Sequence, residues 1–239
     1  MSTNEPGNDA AHDAPAALKI DVISDVVCPW CFVGKRQLEQ ALARWREAHP
    51  EAPAPDITWH PFQLNPDMPD EGISRAEYLA SKFGTSDPAR IYTNVRRAAD
   101  QVGLSLNIEA ITRQPSTVRP HALLGAAFDA GLQDAMAEAL FRGYFIEGRD
   151  LADRDTLAAL AREAGLDEER IADALDNADT HQRVVHADIR ARKLGISGVP
   201  FFIVNNRIGV SGAAGADALT GAFERAENEP DTEAQGEPT

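Results

Sequence analysis

A chain of 239 residues, 43% hydrophobic and 26% charged, is long enough to bury a sizeable core without disulfide scaffolding, which excludes the disordered and small disulfide-framework classes. A formal charge of −15 argues against a sequence-independent nucleic-acid binder or a ligand of anionic membranes, since both need clustered Lys and Arg. No apolar run approaches the ~18 residues of a membrane-spanning helix.

Residues 1–17, MSTNEPGNDAAHDAPAA, are polar and acidic, with neither the basic n-region nor the apolar h-region of a secretory signal, so a cytoplasmic protein is expected. This stretch and residues 228–239 are rich in Pro, Gly and acid and are expected to be disordered tails. In a reducing cytoplasm a structural disulfide is disfavoured. The two cysteines, Cys28 and Cys31, therefore read as a metal-binding or catalytic pair.

Leu18, Ile20 and Val22 alternate with Lys19 and Asp21, which predicts a first strand. A helix follows at once. Pro29 suits its first position, and Leu38, Leu42 and Trp45 share one apolar face. Residues 57–62 read as a second strand. From about Leu64 to Asp179 the pattern is helical almost throughout, with Asp87-Pro88 and Asp167 as start signals and apolar periodicity over 120–128, 136–145 and 157–164. Residues 181–194 predict a further helix closed by Gly195. Strands at 201–204 and 207–211 flank Asn205-Asn206, a pair that tolerates positive φ and suits a hairpin turn, and a last helix spans about 214–226.

The chemistry lies in Ser24-Asp25-Val26-Val27-Cys28-Pro29-Trp30-Cys31-Phe32, where the first strand gives way to the first helix. With Cys28 at the N-cap, its sulfur faces the unpaired N–H groups and positive end of the helix dipole, which favour thiolate over thiol. Cys31 falls one turn later and deeper. The division of labour that follows is Cys28 as attacking thiolate and Cys31 as resolving thiol, with Pro29 and the exposed Trp30 as candidate substrate contacts. A zinc site shared with His181 and His186 competes poorly, because residues five apart on a helix point about 140° away from each other. Ser197-Gly198-Val199-Pro200-Phe201 is the second element: a proline at a strand entrance either starts an edge or occupies a cis turn.

A CxxC at a strand–helix junction, followed far downstream by Val-Pro, a hairpin and a final helix, resembles the thioredoxin fold. With its helical insertion the chain is similar to the DsbA family. The stretches SDVVCPWCFVGKRQLE, FQLNPDMP, YFIEGRDLADRD and LGISGVPFFIVNNRIGVSGA resemble its cytoplasmic FrnE-type branch. The resemblance implies an α/β thioredoxin-like fold with a large all-helical insertion, divided as half 1 (18–63), insertion (64–179) and half 2 (180–227). It further implies that Pro200 is cis and faces Cys28, that the Val199 backbone receives a substrate peptide, and that the helical block caps the active-site face.

Three features depart from relatives. The Pro29-Trp30 pair lacks the His found between the cysteines of some oxidising members. Val22 stands six residues before Cys28, where thioredoxin-like proteins often bury an acid. The proton acceptor for Cys31 is thus unassigned; Asp25 is nearby and available for that role, and reads more simply as a loop or capping acid. The stretch STVRPHALLGAA also differs from the matching helix of relatives. His60, Arg149 and Asp150 are candidates for the cleft lining, the last two reading more simply as solvated loop charges.

The function expected from these readings is reduction or isomerisation of disulfides through a mixed-disulfide intermediate. Protein thiols and disulfides or small thiols are the partners, with no nucleic acid and no membrane. No cofactor is called for, and glutathione is a candidate substrate or reductant. Two alternatives stand beside it: a glutathione-dependent enzyme of the kappa-class transferase or 2-hydroxychromene-2-carboxylate isomerase type, whose nucleophile position carries Ser without a resolving thiol, and a holdase-like binding module.

Overall fold

Strand β1, Lys19–Ser24, begins with exposed Lys19, alternates buried Ile20 and Val22 with half-buried Asp21, and ends fully buried. The reason is its central place in a four-stranded sheet of order β2-β1-β5-β6, with β2 (Asp56–Pro61) parallel to it and β5 (Phe201–Val204) antiparallel. Ile20 and Val22 join Phe202 and Val204 in the main core. Ile23, on the other face, joins Phe62, Phe201 and Ile203 beneath Ala191 and Ile196. The structure is a computed structural model and describes residues 17–85 and 87–228. The expected disordered tails lie outside these residues, apart from Ala17 and Asn228.

Helix α1, Pro29–Ala48, packs on the terminal helix, whose range is Ala216–Asn228. A hairpin precedes that last helix: β5 pairs with β6 (Ile208–Ser211) through Asn205 and Asn206, at φ 48° and 57°. Asn205 also closes the turn against β1, its carboxamide oxygen accepting from the Lys19 N–H at 2.9 Å.

Between β2 and β5 the chain is largely helical: α2 (Arg75–Phe83), α3 (Pro88–Gln101), α4 (Val118–Asp129), α5 (Gln133–Phe145), α6 (Arg154–Glu163), α7 (Glu168–Asp176) and α8 (Ala178–Lys193). The terminal helix is α9. Asp87 and Asp167 cap α3 and α7 with their side chains, the start signals that the sequence displays. The block also holds a two-stranded ribbon, β3 (Ile73–Ser74) on β4 (Arg113–Gln114), whose two-residue strands are too short to show alternation.

Helix α5 seats this block on the thioredoxin-like half. Phe141 stacks on Phe32 of α1 with centroids 5.2 Å apart and meets Trp59 of β2 edge-on at 6.1 Å. Gln133 stands where another strand would pair with β2: its Oε1 accepts from the Trp59 N–H at 2.8 Å and its Nε2 donates to the Trp59 carbonyl at 3.0 Å. Among the described residues no helix is long and apolar enough to cross a membrane.

Candidate active site

The chain leaves β1 at Ser24 and enters α1 with Cys28 as N-cap, φ −93° and ψ 111°, and Pro29 in the first turn. Pro29 has no N–H to lose there. The Cys28 side chain makes no capping hydrogen bond, so its sulfur stands at a helix N-terminus that a conventional cap would have satisfied. The Cys28 N–H donates to the Asp25 carbonyl at 3.0 Å, and the Cys28 carbonyl accepts from the Cys31 N–H at 3.0 Å.

The other wall comes from the far end of the chain. The Val199–Pro200 peptide bond is cis, and the Cys28 thiol donates to the Val199 carbonyl across 3.7 Å. Close approach depends on Gly34: a Cβ there would lie 2.9 Å from Pro200 Cγ and 3.2 Å from Phe202 Cζ. Both cysteines are free. Cys28 keeps 5% exposure, Cys31 1%, and Trp30 between them 38%. The first cysteine is thus only narrowly open.

Burial pushes the Cys31 thiol well above its ordinary range, and its hydrogen bond to the Cys28 sulfur and the charge on Cys28 add to the rise. The Ser24 hydroxyl, buried and without a partner of good geometry, and the Asp25 backbone N–H lean the other way. Cys31 is accordingly a protonated thiol at neutral pH, donating toward Cys28.

Four buried residues that the sequence did not assign to the site, Asp25, His121, Arg75 and Tyr92, form two polar groups in the interior. Asp25 is fully buried rather than a loop or capping acid: Oδ2 accepts from the Leu64 N–H at 2.7 Å, and Oδ1 faces His121 Nε2 at 3.5 Å. His121 belongs to the stretch that differs from relatives. Arg75 is buried with its guanidinium on the Gln114 carboxamide and the Tyr92 hydroxyl, and 3.4 Å from the Tyr144 hydroxyl. Burial raises the Tyr92 pKa, with Arg75 opposing the rise and the charge on Cys28 adding to it.

The remaining candidates have other partners. His60 pairs with Asp21 at 2.6 Å, Arg149 with Glu147 and Glu163 at 2.7 and 2.9 Å, and Asp150 with Arg113 at 3.1 Å. His181 Nε2 lies 3.0 Å from the Ala174 carbonyl.

Residues 19–224, which run from β1 through most of α9, match the profile of the DsbA-like thioredoxin domain. The chain belongs to this family. DsbA-like proteins are thiol-disulfide oxidoreductases, and the dithiol sits at the strand–helix junction of that domain. The Bacillus subtilis (strain 168) protein YwbO is 28% identical over 209 residues, which is 85% of this chain and 94% of that protein. A probable DsbA oxidoreductase from Streptomyces coelicolor is 31% identical, with a TM-score of 0.79 over 89% of this chain and 91% of that one. The fold of this DsbA-like chain is shared at lower identity. Cytosolic disulfide reductase DsbM from Pseudomonas aeruginosa, solved with GSH, is 21% identical at a TM-score of 0.60, covering 87% of this chain and 95% of that one. A 2-hydroxychromene-2-carboxylate isomerase is 13% identical at a TM-score of 0.60, with the same two coverages.

Proposed function

We propose that this protein is a cytoplasmic thiol-disulfide oxidoreductase of the FrnE-type branch that reduces or isomerises disulfides with its Cys28-Pro29-Trp30-Cys31 dithiol. One observation carries the reading: Cys28 stands at an uncapped helix N-terminus against the Val199 carbonyl, with the protonated Cys31 hydrogen-bonded behind it. Cys28 attacks a substrate disulfide and holds one half as a mixed disulfide. Cys31 then attacks Cys28, and the second half leaves as a thiol. Trp30 and Pro29 offer an apolar rim, and the Val199–Pro200 backbone offers edge-strand contacts.

The 5% exposure of Cys28 bears on substrate shape. A narrow opening favours a slim extended segment or a small disulfide over the flat surface of a folded protein. Glutathione fits that limit as substrate or reductant, and the fold shared with a disulfide reductase solved with GSH supports the same reading. A reducing cytoplasm would keep the pair mostly reduced, which favours reductase or isomerase work over net oxidation.

The test is a pair of variants. Cys28→Ser is expected to abolish disulfide exchange, and Cys31→Ser to accumulate mixed disulfides visible as mass adducts. Equal residual exchange in the two variants would contradict these roles. Glutathione-dependent turnover of an aromatic substrate that survives Cys31→Ser would instead support an isomerase or transferase.

A further inference from the structure

The resolving step leaves a proton to be placed. Cys31 is 1% exposed, so its thiol cannot hand that proton straight to bulk water. Val22 occupies the position six residues before Cys28 and offers no acceptor. The buried carboxylates among the described residues are Asp25 and Asp188, at 0% and 3% exposure. Asp188 is neutralised by Arg192 at 2.9 Å and holds the Gln63 N–H at 2.8 Å. Asp25 has no Arg or Lys against it in the ion pairs of the described residues, only His121.

The environment of Asp25 is arranged around a carboxylate. Its oxygens face donors: the Leu64 N–H at 2.7 Å, the Val27 N–H at 3.5 Å and His121 Nε2 at 3.5 Å. His121 Nε2 also faces the Phe62 carbonyl at 3.3 Å, so with two acceptors before it this nitrogen carries a hydrogen. The opposite nitrogen, Nδ1, is buried and has no partner. A buried ring nitrogen without a partner is a cost that packing alone does not explain. His121 also lines a cleft of about 680 Å³ between β2, α4, α7 and α8.

We propose that Asp25 is the proton acceptor for Cys31 in the resolving step and that His121, reaching in from α4, is the positioning residue that fixes its carboxylate. The assignment rests on Cys28 and Cys31 acting as attacking and resolving thiols. Asp25 is tied to the dithiol turn by the backbone: its carbonyl accepts from the Cys28 N–H at 3.0 Å, and the Cys28 carbonyl accepts from the Cys31 N–H at 3.0 Å. In the step, the Cys31 sulfur forms a bond to the Cys28 sulfur, the bond from Cys28 to the substrate sulfur breaks, and that sulfur leaves with the electron pair. The Cys31 proton passes to Asp25. Substrate is reduced and the dithiol oxidised, with no further reactant.

The ionisable groups around the pair come from several elements: Cys28 and Cys31 from α1, His121 from α4, Tyr144 from α5, and Asp188 with Arg192 from α8 across Gln63. Burial keeps Tyr144 protonated well beyond neutral pH, so it does not compete for the proton.

The test mixes reduced protein with a symmetrical aromatic disulfide whose released thiolate is coloured. The first equivalent reports attack by Cys28, the second resolution by Cys31. In Asp25→Asn the first phase persists, and the second is expected to slow about 100-fold at pH 7. That gap closes as the pH climbs through the Cys31 range, where hydroxide ionises the thiol directly. His121→Gln, which keeps an N–H toward the carboxylate, is expected to resolve at least about 10-fold faster than His121→Phe. A second phase unchanged in Asp25→Asn, or slowed equally at every pH, overturns the assignment. Should Asp25→Asn not fold, equal second phases in the two His121 variants overturn it. Absence of the first phase in the wild-type protein would instead refute the oxidoreductase reading.

Discussion

At the residue scale the two cysteines differ because of where one helical turn places them. Cys28 lies at the mouth of α1, and Cys31 lies under it, its thiol held protonated first by burial and then by its neighbour's sulfur. A folded-state pKa above the unfolded one means that the native protein holds this proton more tightly. The stabilisation is fully present below the unfolded thiol range near 9.0 and is lost as pH rises through the folded value. Reduced protein should therefore lose stability as pH rises above about 9, and Cys31→Ala should flatten that slope. Urea midpoints of the two proteins at several pH values check this; parallel slopes would show that the buried thiol is not responsible.

At the element scale α1 opens without a side-chain cap, as α4 and α5 do. Ser74, Asp87, Asp153, Asp167 and Asn177 each cap the helix that follows them by accepting an N–H, whereas Cys28 does not. A side-chain cap contributes about 1 kcal/mol, so reactivity at this terminus comes at the expense of local helix stability. One turn on, Gly34 lets the same helix touch the Val199–Pro200 loop. In an open helix Gly→Ala would stabilise by about 0.5–1 kcal/mol. Here the added Cβ would sit 2.9 Å from Pro200 Cγ, so Gly34→Ala is expected to cost about 1–3 kcal/mol and to slow disulfide exchange by shifting the loop facing Cys28. Chemical denaturation and turnover together decide it, and a more stable, fully active variant would show that the loop yields freely.

At the scale of the whole molecule the helical block is held to the dithiol helix by buried aromatics. Phe141 lies between Phe32, the residue after Cys31, and Trp59 on β2. Charge joins the same surfaces: Lys35, 2% exposed, meets Glu39 at 2.6 Å on its own helix and Asp134 and Glu138 of α5 at 3.2 Å. These carboxylates are partly solvated, so the aromatic stack carries more of the attachment than the ion pairs do. Phe141→Ala is expected to cost about 3–5 kcal/mol. It should lower the midpoint of one cooperative transition, followed by calorimetry. Two separated transitions in the wild-type protein would mean that the block folds independently.

What the sequence determined by itself was local: the first strand and helix, the cysteine spacing at their junction, the Asn-Asn hairpin and the capped helices of the insertion. Each depends on residues within a turn or a strand of one another, where periodicity and capping chemistry are written directly in the order of side chains. Tertiary structure alone decided that Asp25 is buried, that His121 reaches it from α4, and that Arg75 is buried against the Tyr92 hydroxyl. Nothing near Asp25 in the chain distinguishes a buried carboxylate from a loop acid, because burial is conferred by Phe62, Leu64 and α4, which arrive only when the helical block docks. The ribbon of β3 and β4 was hidden for a similar reason, since strands of two residues exist only through the partner that pairs with them.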